Sequence, residues 1–323
     1  MSGVDRLAVV AVDVGGTSLK AGILGPAGLL VLRRVPSARE HGPDAVVDNI
    51  AGVVAGLVRE CSEFDVDVAG VGVAVPGIVD DSGVGELSVT MGWQDLPVRQ
   101  RLVERLGRPV SVGHDVRSAC VAEATFGAAA GAGTALFVPI GTGLAAALVI
   151  DGAIHRGATN RAGEIGQILV APGTTLEAVS TARAIAERYA VATHRPTGSL
   201  DAADVATLAG EGDPVALAVW QAAVDALAQV LAGAVATLDV EVLVVGGGLG
   251  RAGATLIEPL RASMAAQLPW REVPRIVAAR FGADAGFVGS AIEAWRVAAR
   301  RDVGELTQAI AAAPWDGPHE VVT

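Results

Sequence analysis

Three glycine-rich segments hold the residues best suited to bind a phosphate group or the rest of a nucleotide. The first, Asp13-Val14-Gly15-Gly16-Thr17, places a carboxylate directly after an apolar run and follows it with two glycines. Glycines let backbone N–H groups approach phosphate oxygens, and an aspartate can hold Mg²⁺ through water. A tight turn between two strands would use the same glycines without any ligand. Taken alone, this segment leaves both interpretations open.

Two further glycine segments lie in the second half of the chain. Gly141-Thr142-Gly143 follows another apolar run, and two such turns could hold a polyphosphate from two sides. Gly246-Gly247-Gly248 ends a predicted strand, where glycines would let an adenine or a ribose lie against the backbone near a helix N-terminus. A crowded junction between a strand and a helix would need the same glycines.

Lys20 is the single lysine of the chain and follows the first turn closely. Its ammonium group could bind a phosphate oxygen as a point charge, and we predict that contact. A biased genome composition, in which arginine replaces lysine throughout, is the alternative explanation.

The elements that position these segments are predicted from apolar runs and helical periodicity. The predicted strands are Leu7–Val12, Leu19–Leu24, Leu29–Val35, Val68–Val75, Pro109–Val112, Thr134–Ile140, Leu144–Ile150, Ala153–Arg156, Val242–Val245 and Arg275–Ala279. The predicted helices are Pro43–Glu60, Val98–Leu106, Val116–Phe126, Thr174–Ala192, Pro214–Leu238 and Gly286–Arg300, and Ala312–Thr323 is predicted to be a loose tail. A strand, a glycine turn and two further strands therefore occur twice, which predicts two similar α/β domains with a cleft between them.

Composition excludes several classes of function. The 323 residues carry 35 acidic and 24 basic side chains, a formal charge of −11 that disfavours nucleic-acid binding. Cys61 and Cys120 lack the spacing of a zinc site or a disulfide framework. No signal segment and no unbroken apolar stretch of about 18 residues is present, so we expect a cytoplasmic protein without a membrane partner.

Six motifs occur in the order typical of the ROK family (repressors, uncharacterised reading frames and sugar kinases). They are Asp13–Thr17, Gly72–Gly77, His114-Asp115, Ile140–Gly143, Ala162–Gly166 and Val245–Gly248. The resemblance covers about residues 7 to 300 and is strongest to the glucokinase branch. It implies the actin-like ATPase fold of two ribonuclease-H-like domains, use of ATP and Mg²⁺, and a homodimer or homotetramer. We place the N-terminal domain (sugar and phosphate side) at 1–113, the C-terminal domain (nucleotide side) at 114–300, and a helix and tail at 301–323.

The resemblance also assigns roles to individual residues. Asp115 matches the family's catalytic base, although Asp directly before a helix would also serve as an N-cap. The implied sugar contacts are Gly77, Thr90, His114, Asp115, Glu164, Gln167 and Glu177. The implied ATP and phosphate contacts are Asp13, Gly15, Gly16, Thr17, Lys20, Gly141, Thr142, Gly143, Gly246, Gly247 and Gly248, with Asp13 holding Mg²⁺ through water.

The sequence departs from the family pattern near the sugar. His114 stands where the family commonly has Asn, Gln167 where it has His, and Thr90 lies in the segment that often reads Pro-Asn-Leu. The family also has a cysteine-rich stretch that binds a structural zinc together with that His. This stretch is missing here, because the segment ending at Gly173 is followed at once by Thr174–Glu177 without any cysteine. We therefore expect no zinc and an uncertain preference among sugars.

The expected activity is phosphorylation of glucose to glucose 6-phosphate by ATP. A kinase for N-acetylmannosamine or N-acetylglucosamine is the alternative, as is a non-catalytic sugar-binding regulator. A polyphosphate donor is disfavoured by the acidic balance. A repressor would need a DNA-binding module ahead of the first strand, and the predicted strand at Leu7 leaves no room for one.

Overall fold

The fold is described from a computed structural model, which describes residues 6–313, Trp315 and Glu320–Val321. It divides the chain into two units, residues 1–122 with 284–323 and residues 123–283. The boundary between the units falls inside one helix.

The strands include those of both halves of the predicted repeat. In chain order they are β1 (Leu7–Val14), β2 (Ser18–Gly25), β3 (Gly28–Pro36), β4 (Asp67–Val75), β5 (Ile78–Val79), β6 (Gly85–Ser88), β7 (Trp93–Leu96), β8 (Val110–His114), β9 (Thr134–Pro139), β10 (Ala147–Ile150), β11 (Ala153–His155), β12 (Leu169–Ala171), β13 (Thr174–Thr175), β14 (Val242–Gly246), β15 (Arg275–Ala278) and β16 (Glu320–Val321).

The α-helices fall between these strands, mostly in the second half. In chain order they are α1 (Pro43–Glu60), α2 (Val98–Leu106), α3 (Asp115–Phe126), α4 (Glu177–Ser180), α5 (Ala182–Ala192), α6 (Ala202–Gly210), α7 (Pro214–Leu238), α8 (Gly247–Gly250), α9 (Ala254–Gln267), α10 (Ala285–Glu293) and α11 (Thr307–Ala312).

The first unit is built on a six-stranded sheet of order β16-β3-β2-β1-β4-β8. Strands β1, β2 and β3 pair antiparallel, whereas β4 pairs parallel with β1 and β8 parallel with β4. The middle strands are buried because most of their residues are Val, Ala, Leu, Ile or Gly. The apolar face of α1 packs into the same core.

The second unit repeats this arrangement with shorter strands. Its five-stranded sheet has the order β11-β10-β9-β14-β15, with an antiparallel meander followed by two parallel strands. The long helix α7 supplies eleven buried residues, all apolar, to the core that covers this sheet. By length and composition alone α7 could also cross a membrane, but half of its most apolar window is buried within the protein. The predicted two-fold repeat of the actin-like ATPase fold is confirmed.

The boundaries between the domains differ from those predicted at 113 and 300. Helix α10 belongs to the first unit, because its small residues pack against β1 and β4. A methyl group on Gly72 of β4 would lie 1.9 Å from the Ser290 carbonyl oxygen of α10, so glycine is needed at this crossing. The closing part of the chain therefore completes the first unit, and the predicted C-terminal domain loses residues 284–300.

Most predicted elements are confirmed, and the differences are local. A three-stranded antiparallel sheet, β5-β6-β7, was not predicted because its strands have only two to four residues. The predicted helix at Thr174–Ala192 is instead the strand β13 followed by α4 and α5, since Thr181 is extended and caps α5 by accepting the Ala184 N–H. The predicted tail lies mostly outside the described residues, but Glu320–Val321 pairs with Arg33 and Arg34 of β3.

Candidate active site

The first glycine turn joins β1 to β2 and is fixed by the end of β3. The Gly15 N–H donates to the Ser18 carbonyl at 2.9 Å. Ser37 is buried; its N–H donates to the Thr17 carbonyl at 3.0 Å and its hydroxyl to the Gly16 carbonyl at 3.1 Å. Gly15 and Thr17 are exposed and Gly16 is half-buried, so this turn presents its backbone at the surface of the first unit.

Asp13 lies one residue before this turn and packs on the backbone of α10. A methyl group on Gly286 would lie 2.6 Å from the Asp13 carboxyl carbon, so a larger residue would displace the carboxylate. Burial is the main cause that raises the pKa of Asp13 to about 7, and the negative charges of Asp115 and Asp284 raise it further. The charges of Lys20 and Arg34 oppose this shift.

Lys20 is the cross-strand partner of Asp13, but its ammonium group binds Asp284. The side chain of Lys20 is 5% exposed and that of Asp284 1% exposed, so the ion pair is buried. A buried charge needs a partner that compensates it, and each of these charges supplies the other's. This pairing argues against the predicted contact between Lys20 and a phosphate.

Asp115 begins α3 and points one carboxylate oxygen into the helix N-terminus. Its Oδ1 accepts the Val116 N–H at 2.7 Å and lies 3.4 Å from His114 Nε2. One third of its side chain is exposed, yet burial raises the pKa of Asp115 to about 6, with Val116 and Arg117 opposing the rise. The residue before the helix is His114, whose Nδ1 accepts the Arg117 N–H at 3.3 Å, so His114 and not Asp115 is in the N-cap position. Among the described residues the hydrogen bond of Asp115 uses Oδ1, and Oδ2 is available to a ligand.

Of the predicted sugar contacts in the first unit, Thr90 lies beside the first glycine turn. Thr90 is exposed, and a methyl group on Gly16 would lie 3.1 Å from Thr90 Cγ2. Gly77 has φ +102, and a side chain there would collide with the Leu87 carbonyl, so its type is explained by the local backbone. His114 is 8% exposed, which leaves little of its ring for a sugar.

Arg39 is a candidate that the sequence motifs did not indicate. It lies in the short segment after β3 that Ser37 ties to the turn, and its side chain is exposed. A methyl group on Gly16 would lie 3.6 Å from Arg39 Nη1, which places a guanidinium beside the turn. A single arginine outside the motifs cannot be recognised as a functional residue from one sequence. Only the course of the chain after β3 places it here.

The second glycine turn, Gly141–Gly143, is held by a carboxylate instead of a hydroxyl. The Gly141 N–H donates to the Gly143 carbonyl at 2.9 Å, and Glu177 Oε2 accepts the Leu144 N–H at 3.0 Å. A methyl group on Gly141 would meet nothing within 4 Å, so space is open above the turn, and Thr142 is exposed. Glu177 therefore adjoins this turn, while Glu164 and Gln167 are exposed at the ends of a neighbouring short helical turn.

The third glycine segment forms a tight exit from β14 into α8. Gly247 has φ +71, and a methyl group there would lie 2.5 Å from the Ile140 carbonyl oxygen, so packing explains this glycine. Gly246 packs against the Phe137 ring in the same way, whereas Gly248 faces open space. Gly248 lines a cavity of about 690 Å³ together with Ala202, Ala206, Trp220, Arg251 and Thr255. This volume is within the range of small-ligand sites, about 300–1,000 Å³.

Known proteins resemble this chain along most of its length. The ROK family model matches residues 9–296. A glucokinase of Halalkalibacterium halodurans is 33% identical over 313 residues, covering 87% of this chain and 92% of the relative. An N-acetylmannosamine kinase of Shigella boydii is 30% identical over 299 residues, covering 88% and 98%.

Solved structures agree with this relationship. The crystal structure of a ROK family glucokinase from Streptomyces griseus in complex with glucose and AMPPNP is 27% identical, with a TM-score of 0.77. The likeness covers 90% of this chain and 99% of that structure. The family model, the 33% identical relative and the shared fold support one conclusion: this chain belongs to the ROK family.

Proposed function

We propose that this protein is an ATP-dependent sugar kinase that phosphorylates glucose to glucose 6-phosphate, with Asp115 as the general base. The observation that carries the proposal is the geometry of Asp115, whose Oδ1 is anchored and whose side chain remains one third exposed. The glucokinases among its relatives support the same reaction.

The base has a protonation state suited to its task. With a pKa of about 6, Asp115 is mostly ionised at neutral pH and can accept the proton of a sugar hydroxyl. The hydroxyl oxygen then attacks the γ-phosphorus of ATP, the bond to the bridging oxygen breaks, and ADP leaves. A well-placed base typically contributes about 10²–10⁴ in rate.

The backbone of the two glycine turns provides N–H groups for the phosphates. The exposed backbone at Gly15–Thr17 and at Gly141–Gly143 supports this role. Arg39, beside Gly16, is the cation that we assign to the phosphates in place of Lys20. Its planar guanidinium can bind two phosphate oxygens at once and offset the negative charge that Asp13 and Asp115 contribute.

Mg²⁺ fits the first unit as an ion held mainly by water and phosphate. Among the residues that the structure describes, no group of three or more His, Cys, Asp or Glu side chains could hold a metal ion. Mg²⁺ in kinases is typically held by one or two carboxylates plus phosphates, and Asp13 is the carboxylate that we assign to it. When bound, the ion would reduce the negative charge on the phosphates.

The cavity beside Gly248 is the site that we propose for the nucleoside. Its lining is mostly apolar and small, as a flat base requires, and Trp220 is fixed in its wall by donating Nε1–H to the Thr255 carbonyl at 3.2 Å. We further propose that the protein acts in the cytoplasm. We also propose that it is a homodimer or homotetramer, and light scattering on the purified chain would test this oligomeric state.

An N-acetylated amino sugar is the second candidate substrate. The 30% identical N-acetylmannosamine kinase supports it. We retain glucose as the first choice because the 33% identical relative is a glucokinase.

The experiment measures ADP release with glucose, mannose, N-acetylglucosamine and N-acetylmannosamine, in wild type and Asp115→Asn. We expect wild type to be most active on glucose and the variant to lose at least about 10²-fold in kcat while still binding ATP. Full activity of Asp115→Asn would exclude the proposed base, and sugar binding without turnover in wild type would indicate a regulator.

A further inference from the structure

His114 ends β8, directly before the proposed base, and its ring is enclosed. Its side chain is 9% exposed, less than a third of the exposure of Asp115. The motif pattern implies that this position reads the sugar, as the family's Asn does. An enclosed ring offers a sugar hydroxyl very little surface, so another role must account for the histidine.

The hydrogen bonds of the ring define its neutral tautomer. Nδ1 accepts the backbone N–H of Arg117 at 3.3 Å, so Nδ1 carries no proton. In a neutral imidazole the proton then lies on Nε2, which is 3.4 Å from Asp115 Oδ1. The ring thus receives a hydrogen bond from the backbone of α3 and directs its own N–H at the carboxylate that begins the same helix.

We propose that His114 is a positioning residue for Asp115 and does not read the sugar. The inference rests on the proposed function, because it assigns a partner to the base of that reaction. His114 Nε2, at the end of β8, lies 3.4 Å from Oδ1, and the Val116 N–H of α3 donates to the same oxygen at 2.7 Å. Two donors on one oxygen fix the rotation of the carboxylate about its χ2 angle and leave Oδ2 directed at the acceptor hydroxyl.

Charged neighbours do not provide this orientation. Arg117 adds a favourable charge near Asp115, but its Nη2 donates to the Val79 carbonyl at 2.8 Å. Asp13 and Asp115 also influence each other through their negative charges, an interaction that does not fix the rotation of the Asp115 carboxylate. The Nε2–H of His114 is the side-chain donor that we assign to the base.

The test compares three substitutions of His114, measured with the sugar that wild type phosphorylates. In His114→Gln the amide nitrogen can reach the place of Nε2, whereas in His114→Asn it lies one bond short and corresponds to Nδ1. We expect His114→Ala and His114→Asn to lower kcat about tenfold with the sugar KM changed less than twofold, and His114→Gln to stay within about threefold of wild type.

A sugar-reading role gives the reverse pattern. His114→Asn, which restores the family's residue, would then retain kcat, and His114→Ala would raise the sugar KM at nearly constant kcat; either result would overturn the proposal. Melting temperatures and ATP binding of the variants are measured first. A variant that does not fold is replaced by His114→Ser in the comparison, with the expectation stated for His114→Ala.

A second readout does not depend on turnover. The Asp115 carboxyl carbon, labelled with ¹³C, is titrated by NMR in wild type, His114→Ala and His114→Gln. Loss of a donor to the ionised form raises the midpoint, so we expect a rise in His114→Ala that His114→Gln reverses. An unchanged midpoint in His114→Ala overturns the positioning role, even if the kinase assay shows no turnover and the proposed function has failed.

Discussion

The two glycine turns occupy equivalent places in the two halves of the repeat, yet their surroundings differ in charge. The turn at Gly15–Thr17 is held by a hydroxyl and lies close to Asp13, Thr90 and Arg39. The turn at Gly141–Gly143 is held by one carboxylate, Glu177, and is otherwise open. The ionisable residues to which we assign the chemistry lie in the first half, whereas in the second half we assign a role to backbone groups and to a cavity.

This difference shows that a repeat conserves geometry more readily than chemistry. Both turns follow the first strand of an antiparallel meander, because the sheets share the order of their strands. Arg39, Thr90 and Glu177, which lie beside the turns, come from segments outside the meanders, and the repeat does not constrain those segments. Three predictions test this contrast.

The largest effect is expected from the charge beside the first turn. Arg39→Gln should raise the KM for ATP about tenfold, because a charge-assisted hydrogen bond to phosphate is typically worth about 1.5–3 kcal/mol. The matched control is Arg59→Gln, an exposed arginine of α1 whose loss changes the net charge equally. Equal effects in the two variants would mean that only net charge matters, and the contrast between the turns would be lost.

A smaller effect is expected from the backbone of the second turn. Gly141→Ala should leave the melting temperature nearly unchanged, because a methyl group there meets nothing within 4 Å and φ is not positive. The added methyl group would occupy space next to the proposed phosphate, so the KM for ATP should rise about fivefold at constant sugar KM. Unchanged ATP kinetics would exclude this turn from the phosphate site.

The smallest effect is on the pH dependence of the free energy of unfolding, and it tests Asp115 of the first half. The pKa of Asp115 is raised from 3.8 to about 6 in the folded state, so this group contributes stability that is fully present below pH 3.8 and lost as pH rises through about 6. Because Asn cannot ionise, Asp115→Asn avoids the loss of stability that ionisation of Asp115 causes at high pH. The variant should therefore melt a few degrees higher than wild type at pH 8, with little change near pH 4.

Thermal unfolding at the two pH values measures this difference. A melting temperature of Asp115→Asn that falls below wild type at pH 8 would contradict the raised pKa.

Apolar runs, helical periodicity and motif order were enough to predict both meanders, the long helices and which glycine segments form turns. They succeed because apolar alternation and glycine conformations are local properties that each segment carries with it. The short strands β5–β7 were not predictable, since two to four residues give no period. The helix that contains α10 was predicted, but its packing in the first unit was not.

The family, the repeat and the choice of Asp115 as the residue to test follow from motifs that can be read in the sequence. How the charges are paired follows from the tertiary structure. It places Lys20 on Asp284, which lies 264 residues away, and sets Arg39 beside Gly16 instead. It also encloses His114 against Asp115, where motif order suggested a contact with sugar. Partner choice depends on which buried charges the fold brings together, and that is a property of packing between distant segments.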